Sequence, residues 1–209
     1  MNKQIEESRA KILKLVMMAL LTALVIVCQT MASGIKIGPT AITLSCVPIV
    51  IGSIIYGPLE GGFLGFVFSA VVFIAGVSGQ DAFTFTLFNA SPVVTTLLIF
   101  FKGTLAGVVS GLVYRLLEKA NRGKNTTVKC LIAALCSHIT NTGIFAIIML
   151  TLLRPSLEQF AGGTDILYFL FITCIGLNFL VETGVSVILS TAVSRLVIYF
   201  GKRNRNITE

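Results

Sequence analysis

Pro92–Leu117 reads PVVTTLLIFFKGTLAGVVSGLVYRLL, an apolar run with a single lysine, Lys102, near its middle. A bilayer core of about 30 Å is crossed by about 20 apolar residues in a helix, so the run is long enough to span one. A charge at that depth costs roughly 2.5–3.5 kcal/mol on insertion scales. It persists only where it faces other protein, water or a counter-charge. The stretch therefore predicts a membrane helix, and around it further helices that shelter Lys102 and give it something to hold.

Working outward, the rest of the chain has the same character. Of 209 residues, 55% are hydrophobic and only 12% charged, about half the usual ~25% of soluble domains. Mean hydropathy is +0.93. Apolar runs fall at about 12–32, 41–56, 60–77, 92–117, 130–153 and 166–200. The second is short and contains Pro48; the last exceeds what a span needs and is expected to tilt. The first is longer than the ~7–15 apolar residues of a signal peptide and is expected to remain as a span. The expected fold is all-α, an integral membrane six-helix bundle forming one domain over 1–209. Between the spans lie a Gly/Pro turn (Ser33–Thr40), a tight connector (Gly57–Gly62) and a polar, aromatic loop (Ser78–Ser91). A basic linker (Glu118–Lys129), a second polar loop (Arg154–Asp165) and a basic tail (Gly201–Glu209) complete the chain.

Six passes put both termini on one side. Of the 16 Lys and Arg, 13 fall on that side, Lys36 and Arg154 on the other, and Lys102 within. Basic residues collect on the cytoplasmic face of membrane proteins, so both ends are predicted cytoplasmic, in a multi-pass protein of the cell membrane. The same asymmetry accounts for the net charge of +7 without nucleic acid.

Several chemistries are excluded. The five cysteines contain no C-x-x-C and lie in or beside apolar runs, as small packing residues do. The Gly-Lys pairs at 123–124 and 201–202 lack the rest of a phosphate-binding loop. One histidine rules out a multi-His metal site, and no G-x-S-x-G or paired carboxylates stand out. No catalytic residue, metal or cofactor is expected, and the chain is not expected to be an enzyme.

What remains is a polar set at membrane depth: Lys102, then His138, Thr140 and Asn141, then Asn178 and Glu182, which share a helix face four residues apart. Lys102 lies about 15 Å and Glu182 about 20–24 Å below the outer starts of their helices, at 1.5 Å per residue. Two interpretations stay open. Lys102 binds an anionic or polar solute, or it pairs with Glu182 to fix packing. Asn141 and His138 can touch a ligand or serve helix contacts. In the outer loop, Phe83, Phe85, Phe88 and Asn89 can cap a pocket or anchor at the interface. Gly103, Gly107 and Gly111 recur every four residues, a smooth face for tight helix packing.

These features resemble the substrate-binding S components of energy-coupling factor (ECF) vitamin transporters, over roughly residues 13 to 200. Ala19-Leu-Leu-Thr-Ala23 is similar to the family's A-x-x-x-A element. The block Ile37-Gly38-Pro39…Thr43-Leu44…Val47-Pro48-Ile49…Ile51-Gly52…Tyr56-Gly57-Pro58-Leu59-Glu60-Gly61-Gly62…Gly65 resembles its first outer loop, second span and G-P-x-x-G turn. Ser137-His138-Ile139-Thr140-Asn141-Thr142 is similar to a fifth-span signature of the pantothenate-type branch, which tends to carry Arg where this chain has Lys102. Either cation can hold a carboxylate, Arg bidentately.

The resemblance implies a subunit that captures a vitamin from outside, with pantothenate expected first and riboflavin or folate next. Lys102, Asn141, His138, Asn178, Asn89 and Phe85 would meet the substrate. Ala19 and Ala23 would dock a transmembrane coupling protein, itself driven by two cytosolic ATPases. ATP would be used by those partners, after which toppling of the S component would expose the site inward. The rival class is a stand-alone secondary carrier or channel for a small anionic solute; an intramembrane enzyme or scaffold is a third.

Overall fold

The computed structural model describes residues 2–32, 36–37, 40–41, 43–120 and 125–208. Its helices are α1 (Asn2–Ala32), α2 (Cys46–Ile55), α3 (Pro58–Val77), α4 (Ala82–Ala90), α5 (Pro92–Ala120), α6 (Thr126–Thr151), α7 (Arg154–Ala161), α8 (Ile166–Tyr168) and α9 (Leu177–Thr208). A π-helical stretch, Phe169–Gly176, joins the last two. Among the described residues, five stretches are long and apolar enough to cross a membrane: Glu7–Met31, Pro58–Val77, Pro92–Ala120, Thr126–Thr151 and Ile166–Arg195. The chain is a multi-pass helical membrane bundle.

The second expected span is different. α2 has ten residues, about 15 Å of helix, half a bilayer core. Eight of the ten are buried, and α1, α3, α5, α6 and α9 all touch it. A helix apolar on every side belongs inside, so α2 is a central peg within the bundle. Pro48 costs it little, because the third residue of a helix has no intrahelical N–H bond to lose.

Glycine decides how α3 meets α5. A Cβ at Gly65 would lie 2.1 Å from the Gly103 carbonyl oxygen, and one at Gly107 would lie 2.0 Å from that of Gly61. The expected smooth face of α5 is thus filled by the backbone of α3. Ser69 Oγ, donating to the Ile99 carbonyl at 2.8 Å, ties the two helices further.

Two of the expected loops contain helices that the sequence did not announce. α4 lies within Ser78–Ser91, and α7 opens the Arg154–Asp165 segment. Within the expected Ser33–Thr40 turn, Lys36–Ile37 pairs antiparallel with Thr40–Ala41; residues 33–35 and 38–39 of that turn lie outside the described residues, as do 121–124 of the basic linker. The basic tail continues α9 to Thr208.

At one end of the core, beside α4 and α7, Phe83, Leu87, Leu98, Met149, Leu153, Leu157 and Leu170 form a cluster. At the opposite end Val50, Ile54, Tyr114, Cys130 and Ala133 pack together. That end also gathers charge. Lys14 bonds Glu60, Lys129 reaches Glu118 at 2.7 Å, and Arg115 donates to the Tyr56 carbonyl at 3.2 Å.

Candidate functional site

Lys102 sits on the inner face of α5, one turn from Leu98 and Ile99 and two turns from Thr95. Two cavities meet at it. One, toward α6 and α9, is lined by Asn141, Thr142, Cys174, Asn178, Phe179 and Glu182. The other, toward α1 and α4, is lined by Gln29, Asp81, Phe83, Thr84, Leu87 and Thr95. Lys102, Phe145 and Thr43 line both. Lys102 Nζ lies 5.5 Å from the centre of the Phe145 ring, within range of a cation–π attraction. Lys102, Phe145 and Thr43 are where the two cavities adjoin.

Among the described residues, no carboxylate is within ion-pair distance of Lys102. Glu182 is buried, yet its Oε1 accepts from the Thr43 backbone N–H at 2.6 Å. The Lys102–Glu182 bridge left open by the sequence is therefore not formed. Instead Glu182 pins the segment entering α2, while Lys102 faces space. Glu182 lines one cavity and Asp81 the other, so the ammonium lies between two acidic groups without touching either.

Each cavity holds about 80 Å³. One water needs about 10–15 Å³ on that measure, so neither compartment is a dry seam. Polar groups project into them. Asn141 is buried, and its Oδ1 has no hydrogen-bond partner among the described residues. Gln29, buried on α1 one turn beyond Val25, accepts from Ser45 Oγ at 2.9 Å and ties α1 to the start of α2. Asp81 accepts from Thr84 through Oδ2, while its Oδ1 is buried and unpartnered among the described residues. The π-helical stretch brings Cys174 and Ile175 to the wall; such insertions in α-helices often mark functional sites.

The structure brings together three of the six residues expected to meet substrate: Lys102, Asn141 and Asn178. His138 lies one turn from Asn141 on α6, fully buried, and lines neither cavity; neither ring nitrogen has a partner among the described residues. Phe85 and Asn89 are exposed on α4, which turns Phe83, Thr84 and Leu87 inward instead. Phe88 stacks edge-on against Phe73. Ala19 and Ala23 are exposed on α1, one turn apart, while Leu21 and Val25 of the same helix are buried.

Thr43, Gln29, Asp81, Thr84, Thr95 and Phe145 were missed as site residues. Phe145 follows Asn141 by four and Thr95 precedes Lys102 by seven, so helical spacing from the polar residues already singled out points to both. Gln29 is an amide within an apolar run, a signal of the same kind as Asn141.

A family model described as "ECF transporter, substrate-specific component" matches residues 13–194. The match runs from within α1 to within α9 and takes in every residue that lines the two cavities. No curated protein and no solved structure matches the chain.

Proposed function

The chain belongs to the ECF transporter substrate-specific component family, and from that premise we propose that its paired cavities capture a vitamin: pantothenate first, because its carboxylate suits Lys102, with folate, also a carboxylate, and riboflavin, which has none, next. Membership makes it the substrate-binding subunit of a transporter, a membrane protein that works with an ECF module rather than an enzyme. The observation that carries the substrate class is Lys102, a cation where two polar cavities adjoin, with no ion pair among the described residues.

In this account the carboxylate rests on Lys102 Nζ, and Asn141 and Asn178 bond the amide or hydroxyl groups of the ligand. His138 backs Asn141 from the turn below. Pockets for such ligands run to about 300–1,000 Å³, well beyond 80 Å³. Binding therefore moves Lys102 and Phe145 aside and joins the two compartments.

Both termini face the cytoplasm in this account, consistent with the gathering of Lys14, Arg115 and Lys129 at one end. The exposed Ala19–Ala23 face of α1 takes the transmembrane coupling protein, because small side chains let a second helix approach closely. Two cytosolic ATPases supply the free energy, and this subunit needs no cofactor of its own. Ala19→Phe and Ala23→Phe should leave vitamin affinity within about twofold, since exposed positions tolerate change, while uptake by the reconstituted transporter fails. Equal loss of both activities would remove the docking role.

The substrate itself is tested by native mass spectrometry of the protein purified from cells. A bound adduct of pantothenate mass supports the proposal. A bound ligand with no carboxylate, riboflavin included, overturns the pantothenate assignment and the carboxylate-holding role of Lys102.

A further inference from the structure

We propose that the basic end of the bundle holds the phosphate headgroup of an anionic phospholipid, in a groove between the α2–α3 connector and the last turns of α5. The groove measures about 420 Å³, and Tyr56, Tyr114, Arg115 and Lys119 line it over an apolar floor of Ile54 and Ile55. Glu118 also reaches it, but its charge is balanced by Lys129 at 2.7 Å. Arg115 and Lys119 thus leave the groove net positive.

Depth favours a headgroup. Arg115 lies 23 residues along α5 from Pro92, about 35 Å at 1.5 Å per residue. That is past a hydrocarbon core of about 30 Å and inside the headgroup layer. Arg115 is also held in place. One of its five N–H donors bonds the Tyr56 carbonyl at 3.2 Å. A Cβ at Gly57 would fall 2.0 Å from its Nη2, so only the bare glycine, with φ of +125°, lets the guanidinium lie against the connector. Tyr56 and Tyr114 also line the groove, and neither hydroxyl bonds another group among the described residues. Leu112, exposed on α5 about one turn from Arg115 on the side of the hydrocarbon core, offers apolar surface for an acyl chain leaving the headgroup toward the bilayer. A soluble anion has no use for that surface. Basic pockets at the ends of spans are where anionic headgroups bind. The site is separate from the Lys102 cavities and does not depend on what they hold.

The test uses the full chain in detergent, titrated with phosphatidylglycerol or phosphatidylcholine and read by native mass spectrometry. Wild type should retain one phosphatidylglycerol in preference to phosphatidylcholine. Lys119→Gln, which breaks none of the contacts holding the connector, should lower that retention about fivefold. Arg115→Gln/Lys119→Gln should lower it about 25-fold, and Arg115→Lys/Lys119→Arg should restore it. Unchanged melting temperatures would show that the fold is intact. Equal retention of the two lipids, or no change in Lys119→Gln, overturns the proposal. So does inorganic phosphate that binds as tightly as the lipid, which would make this a soluble-anion site.

Discussion

α5 has two faces, and they do opposite work. Toward α3 it offers Gly103, Gly107 and Gly111, and the two backbones meet with no room for a Cβ. Toward α6 and α9 the contact opens within one turn. Ser137 Oγ still donates to the Ala106 carbonyl at 3.1 Å, but Asn141, a turn farther along α6, lines a cavity, and its side-chain oxygen has no partner among the described residues. In a membrane, tight helix contact comes from small residues and buried polar groups are costly. A helix can therefore be fixed along one side by glycine and keep its polar side chains for a ligand on the other. Lys102 and Gly103 are neighbours in sequence, and each belongs to one of these faces.

Breaking the glycine face should have the largest effect. Gly107→Leu would force a side chain into the Gly61 carbonyl. Overpacking of this kind usually costs about 1–3 kcal/mol or more, and a backbone carbonyl has nowhere to move. We expect this variant to lose its cooperative melting transition in detergent, with binding lost as a consequence. A stable Gly107→Leu protein would mean that α3 and α5 are not in backbone contact. On the open face, Asn141→Ala should leave melting unchanged and weaken vitamin binding about tenfold, the cost of a buried hydrogen bond of about 1.4 kcal/mol; a titration with the vitamin reads it. The smallest effect belongs to Gly143→Ala on α6, where a Cβ meets nothing within 4 Å. Replacing a helical glycine there should raise stability by about 0.5–1 kcal/mol. A loss instead would show that glycine is needed on both sides of the bundle.

Much of this arrangement is legible in the residues. One charge in an apolar run identifies Lys102, and the four-residue glycine repeat identifies the packing face of α5. α4 was not legible in the same way. Phe83-Thr84-Phe85-Thr86 alternates with period two, which hides the helical face that turns Phe83, Thr84 and Leu87 inward and Phe85 and Asn89 outward. The role of Glu182 also escaped the sequence, because its partner is a backbone amide, at Thr43, and any residue but proline supplies one. α2 read as a short span since its composition is that of a lipid-facing helix; only its neighbours show that it is enclosed.

The central claim is that Lys102 is placed to hold a ligand carboxylate rather than to hold helices together. Calorimetric titration of pantothenate into wild type and Lys102→Met, with melting temperatures measured on the same samples, tests it most directly. The account predicts binding weakened at least 100-fold in the variant, the loss expected of a charge-assisted contact worth about 3 kcal/mol. It also predicts a melting temperature that holds or rises, since the lysine has no ion pair to lose among the described residues. Unchanged affinity, or a variant that no longer folds, would contradict it.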